Sequence, residues 1–215
     1  MPLPPGEPGS EEAVSAWILE QARARDSFAH IYEASEEHRL QHGRDCDVYP
    51  SGSGPILGAL AAATGANRIL DVGCGLGYSA LWLASGSSPD GLVATIEPDH
   101  GHAELAQRHF EQEGYGPRIT IHEGRGSEVL PGLDGPYDII YCDSSIDEYA
   151  SYPDHFLRLL RPGGLLTSSN LFLGRHSPDI TGLDQAAAYR QRILDDERLQ
   201  TAFLPGGMAL SVKTP

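Results

Sequence analysis

Lysine is almost absent from this 215-residue chain: fourteen of its fifteen basic residues are arginines, and the single lysine is Lys213. That removes one common proton acceptor from any catalytic reading. No Lys/Arg cluster is visible, and the formal net charge is −15. A chain so acidic repels nucleic acid and anionic membranes, so neither is an expected partner. Cysteine is also scarce. Cys46, Cys74 and Cys142 make an odd count with no C-x-x-C spacing, which predicts reduced thiols rather than a disulfide framework. No apolar run approaches the ~18 residues of a membrane span. The first residues, rich in Pro and Gly, carry neither a basic start nor an apolar segment. They predict a disordered tail over 1–12 and no secretory signal, and hence a cytoplasmic protein.

What remains is enough for one α/β domain with a full core. From Glu11 to His42, apolar residues recur at helical spacing (Val14, Trp17, Ile18, then Phe28, Ile31, Tyr32), predicting a helical extension over 13–50. A loop over Gly43–Gly54 and a helix over Pro55–Ala63 follow. Short apolar runs bounded by Gly, Pro or Asp then predict buried parallel strands at Arg68–Val72, Leu92–Glu97, Arg118–His122, Tyr137–Asp143 and Gly164–Ser169. Helices are expected between them, at Tyr78–Ser85, Gly101–Glu113, Tyr149–Leu160 and Asp184–Asp196. Gln200–Leu204 and Met208–Lys213 are separated only by Pro205-Gly206-Gly207, a turn too short for a parallel crossover, so they predict an antiparallel hairpin. The expected fold is a doubly wound, mostly parallel seven-stranded sheet of Rossmann-like type. It carries the hairpin at its C-terminal end and forms one domain over 13–215, with its core over 51–215.

Ligands of such sheets bind at the carboxyl ends of the strands, at the switch point beside the first strand. Asp71-Val72-Gly73-Cys74-Gly75-Leu76-Gly77-Tyr78-Ser79 lies there. The dinucleotide fingerprint G-x-G-x-x-G would need glycine at 78, where this chain has Tyr78. A carboxylate at Asp71 repels a pyrophosphate and suits a ligand with a positive amine, such as the methionine moiety of S-adenosylmethionine. Glu97 closes the second strand, twenty residues after Gly77, where a carboxylate can accept both hydroxyls of a ribose. His122-Glu123-Gly124-Arg125-Gly126 ends the third strand and Tyr141-Cys142-Asp143-Ser144-Ser145 the fourth.

Together with Ile96-Glu97-Pro98-Asp99 and Arg161-Pro162-Gly163-Gly164, these blocks resemble class I methyltransferases. Gly77-Tyr78-Ser79-Ala80-Leu81, Asp143 six residues before Tyr149, and Asn170 with Gly174 narrow the resemblance. The chain looks like the caffeoyl-CoA and catechol O-methyltransferase family and its bacterial relatives, over residues 53–212. The resemblance implies S-adenosylmethionine held by Gly73, Gly75, Tyr78 and Ser79, with Glu97 and Pro98 at the ribose and Gly124, Arg125 and Gly126 around the adenine. It places Asp143 in the methyl-transfer pocket and implies a small-molecule acceptor and a homodimer. Relatives bind Mg²⁺ or Ca²⁺ through two aspartates and an asparagine. Here Asp143 and Asn170 occupy the first and third positions, but Ser169 replaces the second carboxylate. The customary lysine base is Ile146. Losing one carboxylate weakens a site for a hard divalent ion, so the expected reaction is O-methylation of a catechol-like or other hydroxylated acceptor without ordinary metal dependence. Asp143, then His176, are the expected proton acceptors. An N- or carboxyl-directed methyltransferase and a cofactor-binding protein without methyl transfer are the alternatives.

Overall fold

A computed structural model of the chain describes residues 7, 9–43, 46, 48–171, 183–204 and 207–215. The seven strands are β1 (Arg68–Val72), β2 (Leu92–Glu97), β3 (Ile119–Glu123), β4 (Tyr137–Cys142), β5 (Leu160–Ser168), β6 (Leu199–Leu204) and β7 (Met208–Lys213). They form one sheet in the order β3-β2-β1-β4-β5-β7-β6. The first five pair in parallel, while β7 runs antiparallel to both β5 and β6. The order reverses between β1 and β4, which opens a crevice at their carboxyl ends.

Among the described residues, eight α-helices accompany this sheet in chain order. They are α1 (Glu11–Arg23), α2 (Ala29–His42), α3 (Gly54–Thr64), α4 (Tyr78–Gly86), α5 (His100–Gln112), α6 (Gly126–Val129), α7 (Pro153–Leu159) and α8 (Leu183–Asp195). Alternation along the strands divides the core. Ile69, Ile139 and Tyr141 pack on one face with residues of α2, α3, α4 and α5. Leu70, Val72, Ile140 and Cys142 pack on the other with residues of α7 and α8. Among the described residues, no helix is long and apolar enough to cross a membrane.

Four boundaries differ from the sequence expectation. Helix α1 begins at Glu11, inside the segment 1–12 expected as a tail, and is capped by the Ser10 hydroxyl accepting from the Ala13 amide at 3.2 Å. The single helical pattern over 11–42 is broken between α1 and α2. There Asp26 accepts the Phe28 amide at 2.8 Å, the local bond by which Asp competes with helix. The helix expected from Tyr149 begins at Pro153, with Ile146–Ser151 wound as a 3-10 turn. Proline favours a first helical position and disfavours helix in the residue before it. Finally, Arg161-Pro162-Gly163-Gly164 lies within β5: pairing runs from Tyr137 opposite Leu160 to Ile139 opposite Leu165, so the block is taken up as an irregularity of register.

The break at Asp26 also ties the N-terminal extension to the core. Its carboxylate accepts Tyr78 Oη at 2.5 Å and Trp82 Nε1 at 3.2 Å, both from α4. Replacing Asp26 by Ala strands two partly buried donors and a helix-entry amide. We expect a loss of about 2–3 kcal/mol, read as a lower urea midpoint with unchanged m-value and a fall in Tm of roughly 4–10 °C. An unchanged midpoint would show that the extension is not held there.

Candidate active site

The glycine amides of the loop after β1 are satisfied within the protein. Gly73 and Cys74 donate to the Ile96 carbonyl at 3.1 and 2.9 Å, and Gly77 donates to Cys74 at 2.9 Å. Gly75 donates to Glu97 Oε2 at 2.7 Å. A pyrophosphate loop turns its glycine amides toward its ligand; here the Gly73, Gly75 and Gly77 amides are satisfied within the protein. Its geometry still demands glycine. Gly73 has φ +104°, and a Cβ there would stand 2.3 Å from the Asp143 carbonyl, so the ends of β1 and β4 touch through the missing side chain.

Glu97 is buried at the crevice. Besides the Gly75 amide on Oε2, its Oε1 accepts the Asp99 amide at 3.1 Å and faces His102 Nδ1 at 3.4 Å. One pocket is lined by Gly73, Gly75, Tyr78, Ser79, Glu97 and Pro98, and also by Arg125, Gly126, Asp143 and Asn170. It therefore unites most residues singled out from the sequence. Three of them sit differently from expectation. Gly124 is not among the lining residues; its φ of +137° and its amide bond to the Glu97 carbonyl serve the turn after β3. Asp71 also stands outside the lining. It is fully buried beneath the loop, where Oδ2 accepts Thr95 and Ser79 hydroxyls at 2.9 and 3.0 Å and Oδ1 has no partner. It therefore does not face a ligand's ammonium across the pocket. Tyr78 lines the pocket, but its hydroxyl donates to Asp26. Arg125 pairs with Asp147 and Glu148 at 2.9 and 3.0 Å. His176 and Gly174 lie outside the described residues.

At the end of β4, the Tyr141 hydroxyl donates to Asp143 Oδ2 at 2.7 Å and stands 2.9 Å from Ser169 Oγ and 3.3 Å from Ser51 Oγ. The other Asp143 oxygen accepts the Asn170 amide nitrogen. Asn170 adopts φ +61°, a left-handed conformation that Asn tolerates better than most residues. This donor set does not fit a hard divalent ion. It has one carboxylate, whose two oxygens are both occupied by hydrogen-bond donors, an asparagine turned so that its NH₂ meets that carboxylate, and a serine where a second negative charge would be required. Lys213, the sole lysine, donates to the Leu157 and Leu160 carbonyls at the end of α7 and is spent there.

Sequence reasoning missed Tyr141 and Ser51. Tyr141 was accessible through strand periodicity, since it precedes Asp143 by two residues and so shares its face. Ser51 carries no such signal, because it arrives from a loop ninety positions earlier.

Burial dominates the electrostatics. It pushes the Asp71 carboxyl up to about 7 and the Asp143 carboxyl up to about 6, against the hydroxyl hydrogen bonds that favour their charged forms. A carboxyl raised on folding contributes stability that is complete below its unfolded value near 3.8 and is lost as pH rises through the folded value. The unliganded protein should therefore lose stability to urea as pH rises from about 4 to about 7 on this account. Asp71→Asn should flatten that slope, because it removes one of the two groups. An equal slope in the variant would refute the assignment.

The O-methyltransferase family profile matches residues 32–214. A curated protein of Mycolicibacterium vanbaalenii, named "Putative O-methyltransferase", is 34% identical over 211 residues, covering 95% of this chain and 92% of that protein. Among solved structures, cofactor-bound Rv0187 from MTB superposes with a TM-score of 0.80 at 26% identity, covering 96% of this chain and 99% of that one. The O-methyltransferase TomG of Streptomyces achromogenes, involved in tomaymycin synthesis and solved in complex with SAM, gives 0.73 at 27% identity, with 86% and 89% covered. The fold, the crevice at the β1–β4 switch point and the sequence agree: this chain belongs to the O-methyltransferase family.

Proposed function

We propose that the chain methylates a hydroxyl of a small acceptor with S-adenosylmethionine and that Asp143, rather than a divalent metal, receives the acceptor's proton. The observation that carries the reading is Glu97, a buried carboxylate held by two backbone amides at the wall of the pocket beside an amide-satisfied glycine loop. A carboxylate so fixed is prepared to accept a ribose diol. A loop whose glycine amides are satisfied within the protein, rimmed by Glu97 and Asp143, favours a cationic ligand over a phosphate. S-adenosylmethionine fits both demands and, when bound, supplies a methyl group on a sulfonium leaving group.

The chain's own residues then have distinct tasks. Gly73 and Gly75 let the ligand approach the backbone, and Ser79 and Pro98 contribute to the same wall. Arg125 and Gly126 close the side next to α6, where the adenine belongs. Asp143 accepts the acceptor's proton as the oxygen attacks, and the Tyr141 hydroxyl and Asn170 amide hold its two oxygens in place. A carboxyl raised to about 6 is a stronger base than an ordinary aspartate and is still ionised at neutral pH. Proximity of donor and acceptor supplies several further kcal/mol. The buried, unpaired thiols suit a reducing compartment, so the reading places the enzyme in the cytoplasm.

Incubation with labelled S-adenosylmethionine and a panel of phenols and catechols tests the reading, with and without chelator. Transfer should survive chelation. Transfer abolished by chelator and restored by Mg²⁺ would overturn the metal-free assignment. Glu97→Gln should weaken binding of S-adenosylhomocysteine by about 10- to 100-fold, the loss of hydrogen bonds to a charged group, measured by calorimetry. Asp143→Asn should lower kcat by at least about 100-fold. In the parent enzyme kcat/KM should rise with pH through about 6, as Asp143 must be ionised to take a proton. A flat profile with an active Asp143→Asn would assign the base elsewhere.

A further inference from the structure

A second cluster of ligating side chains stands beside Glu97. His38 of α2, Cys46 of the segment between α2 and α3, and His102 of α5 each bring one ligand atom to within 4.8 Å of the other two. The His38 and His102 rings meet edge to face with centroids 5.0 Å apart. Cys46 is buried, packed with Val48, Leu76 and Leu105. His102 is held through Nδ1, which faces Glu97 Oε1 at 3.4 Å and Asp99 Oδ1 at 3.9 Å. That contact orients the ring, as carboxylates do for zinc-bound histidines.

We propose that His38, Cys46 and His102 bind one borderline-soft divalent ion, of which Zn²⁺ is the type, with water or a further ligand completing the tetrahedron. Two imidazoles and a thiolate select such an ion over Mg²⁺ or Ca²⁺. A tetrahedron with bonds of about 2.0–2.3 Å has ligand-to-ligand edges of about 3.3–3.7 Å, so the three atoms need close by only about 1 Å. Binding removes the thiol proton from Cys46 to solvent and forms one S–metal and two N–metal bonds, with no redox change. The ion would fasten α2 and residue 46 to α5. Val48, Leu76 and His102 all line the pocket, so the clasp would hold one wall of it. The proposal does not rest on methyl transfer, and a protein inactive on every acceptor would still bind the ion.

The test uses tag-free, full-length protein stripped with chelator and titrated with Co²⁺, then Zn²⁺. One equivalent of Co²⁺ should give intense visible bands and a near-ultraviolet thiolate charge-transfer band, displaced by Zn²⁺. X-ray absorption of the zinc form should show one sulfur at about 2.3 Å among nitrogen neighbours. Cys46→Ser should abolish the charge-transfer band, His38→Gln should weaken Zn²⁺ binding at least tenfold, and Asp143→Asn should bind Zn²⁺ as the parent does. Zn²⁺ should raise the parent's Tm but not that of His38→Gln. A charge-transfer band that persists in Cys46→Ser, an all-oxygen zinc shell, or the absence of any Co²⁺ spectrum would each overturn the proposal. Should Cys46→Ser fail to fold, the zinc shell of the parent and the His38→Gln titration decide alone.

Discussion

The structure depends on the place where β1 and β2 end together. The Ile96 carbonyl accepts two successive amides of the glycine loop, and the next amide reaches Glu97. Because those three donors are satisfied within the protein, the loop holds its left-handed turns without a ligand, and Glu97 is fixed before one arrives. The same turn presses Gly73 against the Asp143 carbonyl, so donor loop and acceptor residue share one contact. Their relative position is set by backbone rather than by long side chains, as alignment for an in-line displacement requires.

Register extends this constraint across the sheet. Asp71 lies opposite Thr95 on one side and Tyr141 on the other, and Tyr141 lies opposite Thr167. One face of the sheet thus carries a transverse row of four polar residues in an otherwise apolar interior. Strand alternation then places Asp143 and Ser169 at the open end of the same face. In place of a divalent ion between them stands a tyrosine hydroxyl. Exchanging a cation for a neutral donor leaves Asp143 with burial as its main influence, which is why its carboxyl rises instead of falling.

The sequence carried the fold because each strand is a short apolar run with breakers at both ends, and because a three-residue turn leaves a hairpin no parallel alternative. It carried the pocket because the glycines and Glu97 lie at strand termini, where topology alone brings them together. It did not carry the break at Asp26 or the start of α7 at Pro153, since helical periodicity persists through both and local capping decides the boundary. Nor did it carry Ser51 or the meeting of His38, Cys46 and His102. Those contacts join elements remote in the chain, and their residues look ordinary in isolation: His38 and His42 four apart read as one face of a helix, and they do stack on each other. Asp71 was legible as important but not its burial: one residue before the last strand position, it lies buried beneath the loop and outside the pocket lining.

The N-terminal extension is therefore part of the pocket and not an appendage to the core. Asp26 binds α4 at the residue that opens the helix after the glycine loop. Farther along, Val48, Tyr49, Pro50 and Ser51 line the pocket directly, and Ser51 reaches Tyr141. Whatever orders α2 and the segment after it also sets the wall against which the cofactor lies. Asp26 ties the start of α2 to α4, and the His38–His102 ring contact ties its later part to α5, so neither can substitute for the other. The precision of the pocket thus comes from the protein frame, and this extension forms one wall of it.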